Sequence, residues 1–525
     1  MGRQLDNYSP LESLHHIATL IDDATDNALP EKAQQALQLC DALEKRLDAR
    51  QLVELNYFRA NAWSVIRHAK HCDESKVWEW DQPEILHEIF CLRSAVRSAE
   101  FGSHEPFRQC QILVNAGNIF SHIGRPIEAV EYWNRALGLM PNFAMALGNL
   151  GFGLESYAKY LYDPGHQGVI LKEACNFLKS VAEPSAVWDS YDYQRIIESM
   201  LGRAQSIESR VDFSYLENIS LYEHSLGRSK VERNYRAWAL GNGLFLSPLN
   251  DLGAYPIAAH DVLHLPPMVR PISEPPHFIG FFNQLKQEYV SARFLCWQGI
   301  AESEAYKKHY SDKKILLLNT LDYPVYSVFI EQAKLAFRMA YSLFDKIAFF
   351  INEYWLLGMR ESSINFQSIW FESGTKDKPK VLRASFQARQ NLPLRGLYWL
   401  SKDFVESDKD SVVLGETMEP DAYKLRSIRN HLEHKYLKVH DDLWSYTDHP
   451  DNALFGDQWA FHLSMQELNK KTIRILKMAR AGLTYLSLAV HREENIRSSQ
   501  MPDKITVPMA LPRWEHFLWV SLHTH

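Results

Sequence analysis

"RSIRNHLEHKYLKV", Arg426 to Val439, decides how the C-terminal half of this chain is read. Leu425, Ile428, Leu432, Tyr436 and Val439 recur at helical spacing. The longer segment "EPDAYKLRSIRNHLEHKYLKV" is therefore predicted as one amphipathic helix with those residues as its buried stripe. Pro420 suits a helix start, and Glu419 and Asp421 beside it suit the positive end of the helix dipole. The polar side carries Arg426, Arg429, Asn430, Glu433 and His434. Asn430 and His434 stand four apart and share a face. Arg429 lies about 7.5 Å along the axis from His434, a span that a long guanidinium can cover. The polar groups thus converge on one small anionic group.

The flanking sequence is helical too. "HFIGFFNQLKQEYVSARFLCWQGI", "YPVYSVFIEQAKLAFRMAYSLFDKIAFFINEYWLLG" and "LPLRGLYWLSKDFVES" precede the motif segment, and "DQWAFHLSMQELNKKTIRILKMARAGLTYLSLAVHREE" follows it. Their lengths and apolar stripes predict a compact helical bundle over 277–495. The tail, 496–525, contains "KITVPMAL" and "HFLWVSLH" and reads as extended. Ahead of the bundle, 206–276 is rich in Pro and Gly yet holds many large apolar groups, so it reads as an ordered connector.

Residues 1–205 carry a hidden period. In "LVNAGNIFSHIGRPIEAVEYWNRALGLMPNF", Leu113 to Phe143, the residues Gly117, Phe120, Gly124, Ala129, Trp133, Ala136 and Pro141 stand at the small, aromatic, turn and proline positions of a tetratricopeptide (TPR) repeat of about 34 residues. Small residues let antiparallel helices approach, large ones fill the gap, and proline stops the second helix. Gly151 falls one period after Gly117. The fold class is therefore all-α: a TPR-like array, a connector and a helical bundle, with an irregular helical bundle as the alternative for the first part.

Composition narrows the function. The chain has 525 residues, is 46% hydrophobic and carries a net charge of −7, so a polyanion must be held by a local basic patch. The six cysteines are scattered without a CxxC pair, which argues against a disulfide framework or a Cys-rich zinc site and fits a reducing cytoplasm. The N-terminal residues show no basic region followed by an apolar core, and the most apolar run, "KIAFFINEYWLLG", is too short to span a bilayer; no membrane partner is expected. His260 and His264 stand four apart as zinc ligands on a helix would, but nearby prolines and the lack of a third ligand favour packing. No metal or cofactor is expected.

The motif helix suits RNA cleavage. A ribose 2′-OH attacks the neighbouring phosphate once its proton is removed. His titrates near neutrality and suits proton transfer, help worth about 10²–10⁴ in rate. A planar Arg that keeps its proton stabilises the extra charge of the phosphorane, and Asn can bond both phosphate and His.

"IRNHLEHKYLKV" resembles the R-N-x3-H signature of the HEPN superfamily, the higher eukaryote and prokaryote nucleotide-binding domain. More narrowly, the chain looks like a bacterial HEPN family with N-terminal TPR repeats. "FNQLKQEYVSARFL", "AYSLFDKIAFFIN" and "LRGLYWLSKDF" support the resemblance. It implies a metal-independent endoribonuclease acting as a homodimer, with two motif helices facing one RNA-binding cleft, in toxin–antitoxin or antiphage defence. Carried over to matching positions, the catalytic groups are Arg429, Asn430 and His434. The Lys402–Asp403 pair matches a polar pair that recurs in such proteins, and either holds Arg429 or His434 or is a solvated helix end. Asp345, on a polar stripe with Arg338, Ser342 and Asn352, is a second candidate support. His431 either assists or binds RNA, and Glu433 reads as a surface ion-pair partner. Tyr436 completes R-x4-H-x-Y, a tyrosine that a separate antitoxin partner nucleotidylates in some HEPN toxins; its place on the apolar stripe favours a core role. A protein trigger or regulator is expected at the array, because such arrays present concave grooves to peptides. The rival reading is a non-catalytic TPR/HEPN scaffold or nucleotide-binding regulatory protein.

Overall fold

A computed structural model describes residues 8–73, 76, 78–188, 193–304, 308–372, 381–405, 418–441, 457, 459–500, 506–509 and 511. Among these residues the chain forms sixteen α-helices and one pair of short strands, so the all-α class holds. Nine helices build the N-terminal part: α1 (Pro10–Asp26), α2 (Pro30–Leu43), α3 (Ala49–Lys70), α4 (Pro83–Arg97), α5 (Pro106–His122), α6 (Pro126–Leu139), α7 (Ala144–Ala158), α8 (Pro164–Ser180) and α9 (Gln194–Arg210). Proline stands in the first turn of α1, α2, α4, α5, α6 and α8. There its fixed φ is already helical and its missing N–H is one the helix would not have used. Ser9 with Glu12 and Asp48 with Gln51 form capping boxes at α1 and α3.

Consecutive helices of this array pack on one another, and the repeat residues explain how. Trp133 of α6 is buried and wedged between Gly117 of α5 and Gly153 of α7; a Cβ at either glycine would collide with its ring. Its Nε1 donates to Asn118 Oδ1 at 3.1 Å. Gly151 lies against Leu178 and Ala174 of α8 in the same way. Gly124 closes the α5–α6 turn with φ +86°, a conformation glycine adopts without strain.

The Pro/Gly-rich stretch that follows contains α10 (Lys230–Gly241) and is tied to the C-terminal part by buried arginines. Arg480 bonds Asp251 Oδ1 at 2.5 Å and the carbonyls of Phe245 and Ser247 at 2.5 and 2.7 Å. Arg293 bonds both oxygens of Asp261 at 2.8 and 2.7 Å.

The bundle consists of α11 (His277–Glu304), α12 (Val328–Tyr354), the single turn α13 (Ala384–Gln387), α14 (Leu392–Ser401), α15 (Ala422–His434) and α16 (Met465–Gln500). α12 packs against α11 and α16, and α16 against α14. Two boundaries differ from the sequence expectation. The motif helix α15 ends at His434, and Tyr436–His440 is a strand, β1, running parallel to β2 (Ala460–Ser464). The last helix accordingly starts at Met465 and not near Asp457. Tertiary pairing overrides the helical period here. β1 is bonded to β2 on one side, and Val439 O accepts from Val325 N at 2.7 Å. Leu437 and Val439 are buried, and Lys438 between them is buried against Asp322 and Asp457 at 2.5 and 3.0 Å. Tyr436 is then no part of the apolar stripe: it is 42% exposed, which corrects the core role expected for it. The tail expected to be extended lies largely outside the described residues.

Array and bundle share one buried core, and a charged network crosses between them. Asp403, fully buried just after α14, accepts from Arg93 of α4 at 2.5 and 3.2 Å and from Arg125 at 2.8 Å. Arg93 also reaches Met418 O and Glu419, both at 3.2 Å. Glu419, itself buried, binds Arg97 of α4 and Arg474 of α16, and Asp421 binds Lys471 at 2.5 Å. The acidic pair read as complements to the helix dipole thus anchors the start of α15 to the array and to α16. Gly124 and Gly396 meet backbone to backbone nearby.

Candidate functional site

α15 is positioned by Leu425 and Ile428, which are fully buried, while Arg429 and Asn430 are half-buried on its other side. Arg429 Nη1 donates to Asn430 Oδ1 at 3.1 Å, and the guanidinium lies 5.9 Å from the Tyr341 ring centre on α12. Among the described residues no carboxylate is ion-paired with Arg429, although Arg93, Arg125, Arg293 and Arg480 are each paired with one. Both Arg429 and Asn430 line a cleft of about 180 Å³. A charged, planar donor beside a neutral amide at the mouth of a cleft suits an anionic oxygen.

His434 closes α15, one turn beyond Asn430 on the same face. It is exposed and has no hydrogen-bond partner among the described residues. By helix rise it stands about 6 Å along the axis from Asn430, beyond the residues that line the cleft with Arg429 and Asn430. His431 is placed differently. Its Nδ1 bonds Ser427 O at 2.7 Å and its ring stacks on Phe461 of β2, with centres 5.2 Å apart. That fixes the proton on Nδ1 and turns the ring toward the strands.

The candidate supports divide. Asp345 lines the cleft with Arg429, and its Oδ1 accepts from Phe366 N at 3.1 Å. Although the residue reaches solvent, the surrounding apolar mass raises its carboxyl above the ordinary aspartate range, against the pull of the Phe366 amide and of Arg429. Asp403 is bound by Arg93 and Arg125 instead of Arg429 or His434, and these guanidiniums hold its carboxyl well below the ordinary range despite full burial. Lys402 lies over the rings of Tyr398 and Phe371 and 3.9 Å from Asp81 of the N-terminal part. The pair thus belongs to the junction with the array. Glu433 pairs with Arg338 of α12 at 3.0 and 3.1 Å, as its surface reading anticipated. Ser342 bonds back to Met339 O, and buried Asn352 accepts from Met359 N at 2.9 Å. Tyr436 lies two residues past His434, exposed at the start of β1.

Sequence reading missed the rest of the cleft. Tyr341, Phe344, Phe366 and Phe404 supply its aromatic part, and Asn365 and Gln367 its far polar edge. The two amides sit in an irregular stretch, "INFQSIW", with no period to mark them.

Among the described residues, no group of three or more His, Cys, Asp or Glu side chains gathers as metal ligands would, and no helix is long and apolar enough to cross a membrane. All six cysteines are free thiols, five of them buried.

No curated protein matches this chain, and no solved structure does. Residues 269–493, which hold the whole of the bundle from α11 to the last turns of α16, match the LA2681-like HEPN family. The helical bundle with Arg429, Asn430 and His434 on α15, together with that match, makes residues 269–493 a HEPN-superfamily domain.

Proposed function

We propose that this HEPN protein is a metal-independent endoribonuclease. The observation that carries the reading is the Arg429–Asn430 pair: a half-buried guanidinium with no ion-paired carboxylate among the described residues, bonded to an amide, at a cleft. In the proposed reaction a phosphate of RNA sits on Arg429 and Asn430. The ribose 2′-OH attacks the adjacent phosphorus, a 2′,3′-cyclic phosphate forms, and the 5′-oxygen leaves. His434 transfers a proton, either from the attacking hydroxyl or to the leaving oxygen; its access to solvent suits both. Arg429 stabilises the charge that grows on the phosphorane oxygens.

One motif helix offers one exposed imidazole on its rim. Acid and base then come from two copies, so the reading includes a homodimer in which two α15 helices face one RNA strand. The N-terminal array serves as the regulatory part, binding a protein trigger, and the setting is a cytoplasmic toxin or antiphage defence system, with any antitoxin a separate protein. The network through Arg93, Arg97, Asp403 and Glu419 supports regulation through the array, since it joins α4 to the start of α15.

The test is cleavage of total RNA and tRNA by purified protein in EDTA, beside Arg429→Ala and His434→Ala. The expected result is cleavage by wild type alone, leaving 2′,3′-cyclic phosphate ends, and slowed growth only on wild-type expression. Equal cleavage by all three proteins would remove the motif from the mechanism. Equal growth and no cleavage would favour the scaffold or nucleotide-binding alternative.

A further inference from the structure

The cleft beside Arg429 is larger than a phosphate oxygen requires, and its walls are wrong for an anion. Phe344, Phe366 and Phe404 are buried and packed on one another, with ring centres 4.7 to 6.1 Å apart, and Tyr341 stands over them with its centre 5.3 Å from that of Phe404. This aromatic floor belongs to the same cavity as Asp345, Asn365, Gln367 and Asn430. Its volume of about 180 Å³ exceeds the roughly 150 Å³ that admits a benzene ring in an engineered protein cavity.

Two rim groups have unused hydrogen-bonding capacity. Asp345 accepts one backbone N–H through Oδ1, and its Oδ2 has no partner among the described residues. Asn365 accepts from the backbone N–H groups of Gln367 and Ser368 through Oδ1, while its Nδ2 has no partner among the described residues. Gln367, by contrast, is committed to Phe404 O at 2.5 Å. An acceptor and a donor therefore stand at the edge of an aromatic slot, next to a guanidinium suited to phosphate.

We infer that this cleft is a nucleobase subsite. It takes the base of a nucleotide whose phosphate sits on Arg429 and Asn430, with Asp345 as the residue that selects among bases. This rests on the proposed RNA substrate and adds a specificity to it. A flat heterocycle gains from stacking on an aromatic ring whatever its identity, and Tyr341 is the one of the four rings that is not buried, so the selection comes from the rim. A carboxylate needs an N–H partner. Guanine, adenine and cytosine each present an exocyclic amino group to it. Uracil presents only its ring N–H, flanked by two carbonyl oxygens that a carboxylate repels. The subsite therefore favours the three amino-bearing bases over uracil.

The experiment uses the full-length protein and the four nucleoside 3′-monophosphates as probes, with affinities measured by calorimetry. Wild type is expected to bind the guanosine, adenosine and cytidine forms at least about tenfold more tightly than the uridine form, the discrimination one good polar contact supplies. Asp345→Asn, whose amide can both donate and accept, is expected to erase that difference while melting at the wild-type temperature. Tyr341→Ala is expected to weaken all four. Cleavage sites mapped on a mixed RNA should lose their bias against uridine in the Asp345→Asn protein. Equal binding of all four by wild type, no binding, or an unchanged order in Asp345→Asn would overturn the subsite. The nuclease reading is judged separately. Base-selective binding without RNA cleavage sinks the nuclease and keeps the subsite; cleavage with no base preference does the reverse.

Discussion

Asp403→Ala removes a carboxylate that is fully buried and bonded by Arg93 through both terminal nitrogens and by Arg125 through one. Two guanidiniums then stay buried with less to bind. Breaking a buried ion pair from one side costs about 3–5 kcal/mol. Arg125 keeps Glu128, and Arg93 keeps Glu419 and the Met418 carbonyl, so the low end applies, about 3 kcal/mol. Unfolding entropy of about 2.1 cal/mol/K per residue gives about 1.1 kcal/mol/K for 525 residues melting as one unit. The expected fall in Tm is thus about 3 °C, read by calorimetry. The pH dependence gives a second reading. The folded carboxyl is held below its ordinary range, so its stabilisation is present above the unfolded-state pKa of about 3.9 and is lost as pH falls through the folded value. Wild type should lose stability on acidification below about pH 5 more steeply than Asp403→Ala does. A Tm within a degree of wild type, with parallel acid profiles, would refute the claim that this network joins array and bundle.

Three further outcomes follow from named contacts. Gly153→Ala should destabilise by about 1 kcal/mol, because overpacking against Trp133 costs about 1–3 kcal/mol and the better helix propensity of alanine returns up to about 1. Gly202→Ala, in α9 with open space around it, should stabilise by up to about 1 kcal/mol; opposite signs in urea titrations check the pair. His431→Ala should retain RNA cleavage within about tenfold, because its ring is committed to Ser427 and Phe461, whereas His434→Ala should lose about 10²–10⁴. Single-turnover rates separate the two histidines.

The sequence carried the elements wherever local pattern and tertiary demand agreed. The Gly117–Trp133–Gly151 spacing announced close helix pairs because the same residues that allow close approach mark the period. Leu425 and Ile428 announced the buried side of α15 because helix period and burial coincide there. The reading failed where a partner distant in the chain decided the outcome. Tyr436–His440 matches a helical stripe as well as it matches a strand, and Ala460–Ser464 and Val325 settle it. Asp403 gave no sign that Arg93 and Arg125, some 300 residues earlier, would take it; an acid after an apolar helix looks the same whether it faces solvent or a buried guanidinium. The cleft was half legible: Arg429, Asn430 and Asp345 lie on periodic helices, whereas Asn365 and Gln367 lie on a segment with no period.

The pairing of charges leaves Arg429 at the cleft without an ion-paired carboxylate among the described residues. A chain with a net charge of −7 must keep its acids away from any site meant for a polyanion. Glu433, one helical turn from Arg429, is taken by Arg338. Asp403, across the bundle, is taken by Arg93 and Arg125, and Glu419 and Asp421 at the start of α15 are taken by Arg97, Arg474 and Lys471. Asp345 is the acid that remains at the cleft, and its carboxyl is raised by apolar surroundings, which weakens its claim on Arg429. The same ion pairs that clear the site also fix the N-terminal end of α15 to α4. A shift of α4 would therefore act on α15 through Met418 and Glu419, two to three turns from Arg429, and move the Arg429–Asn430 pair without touching it.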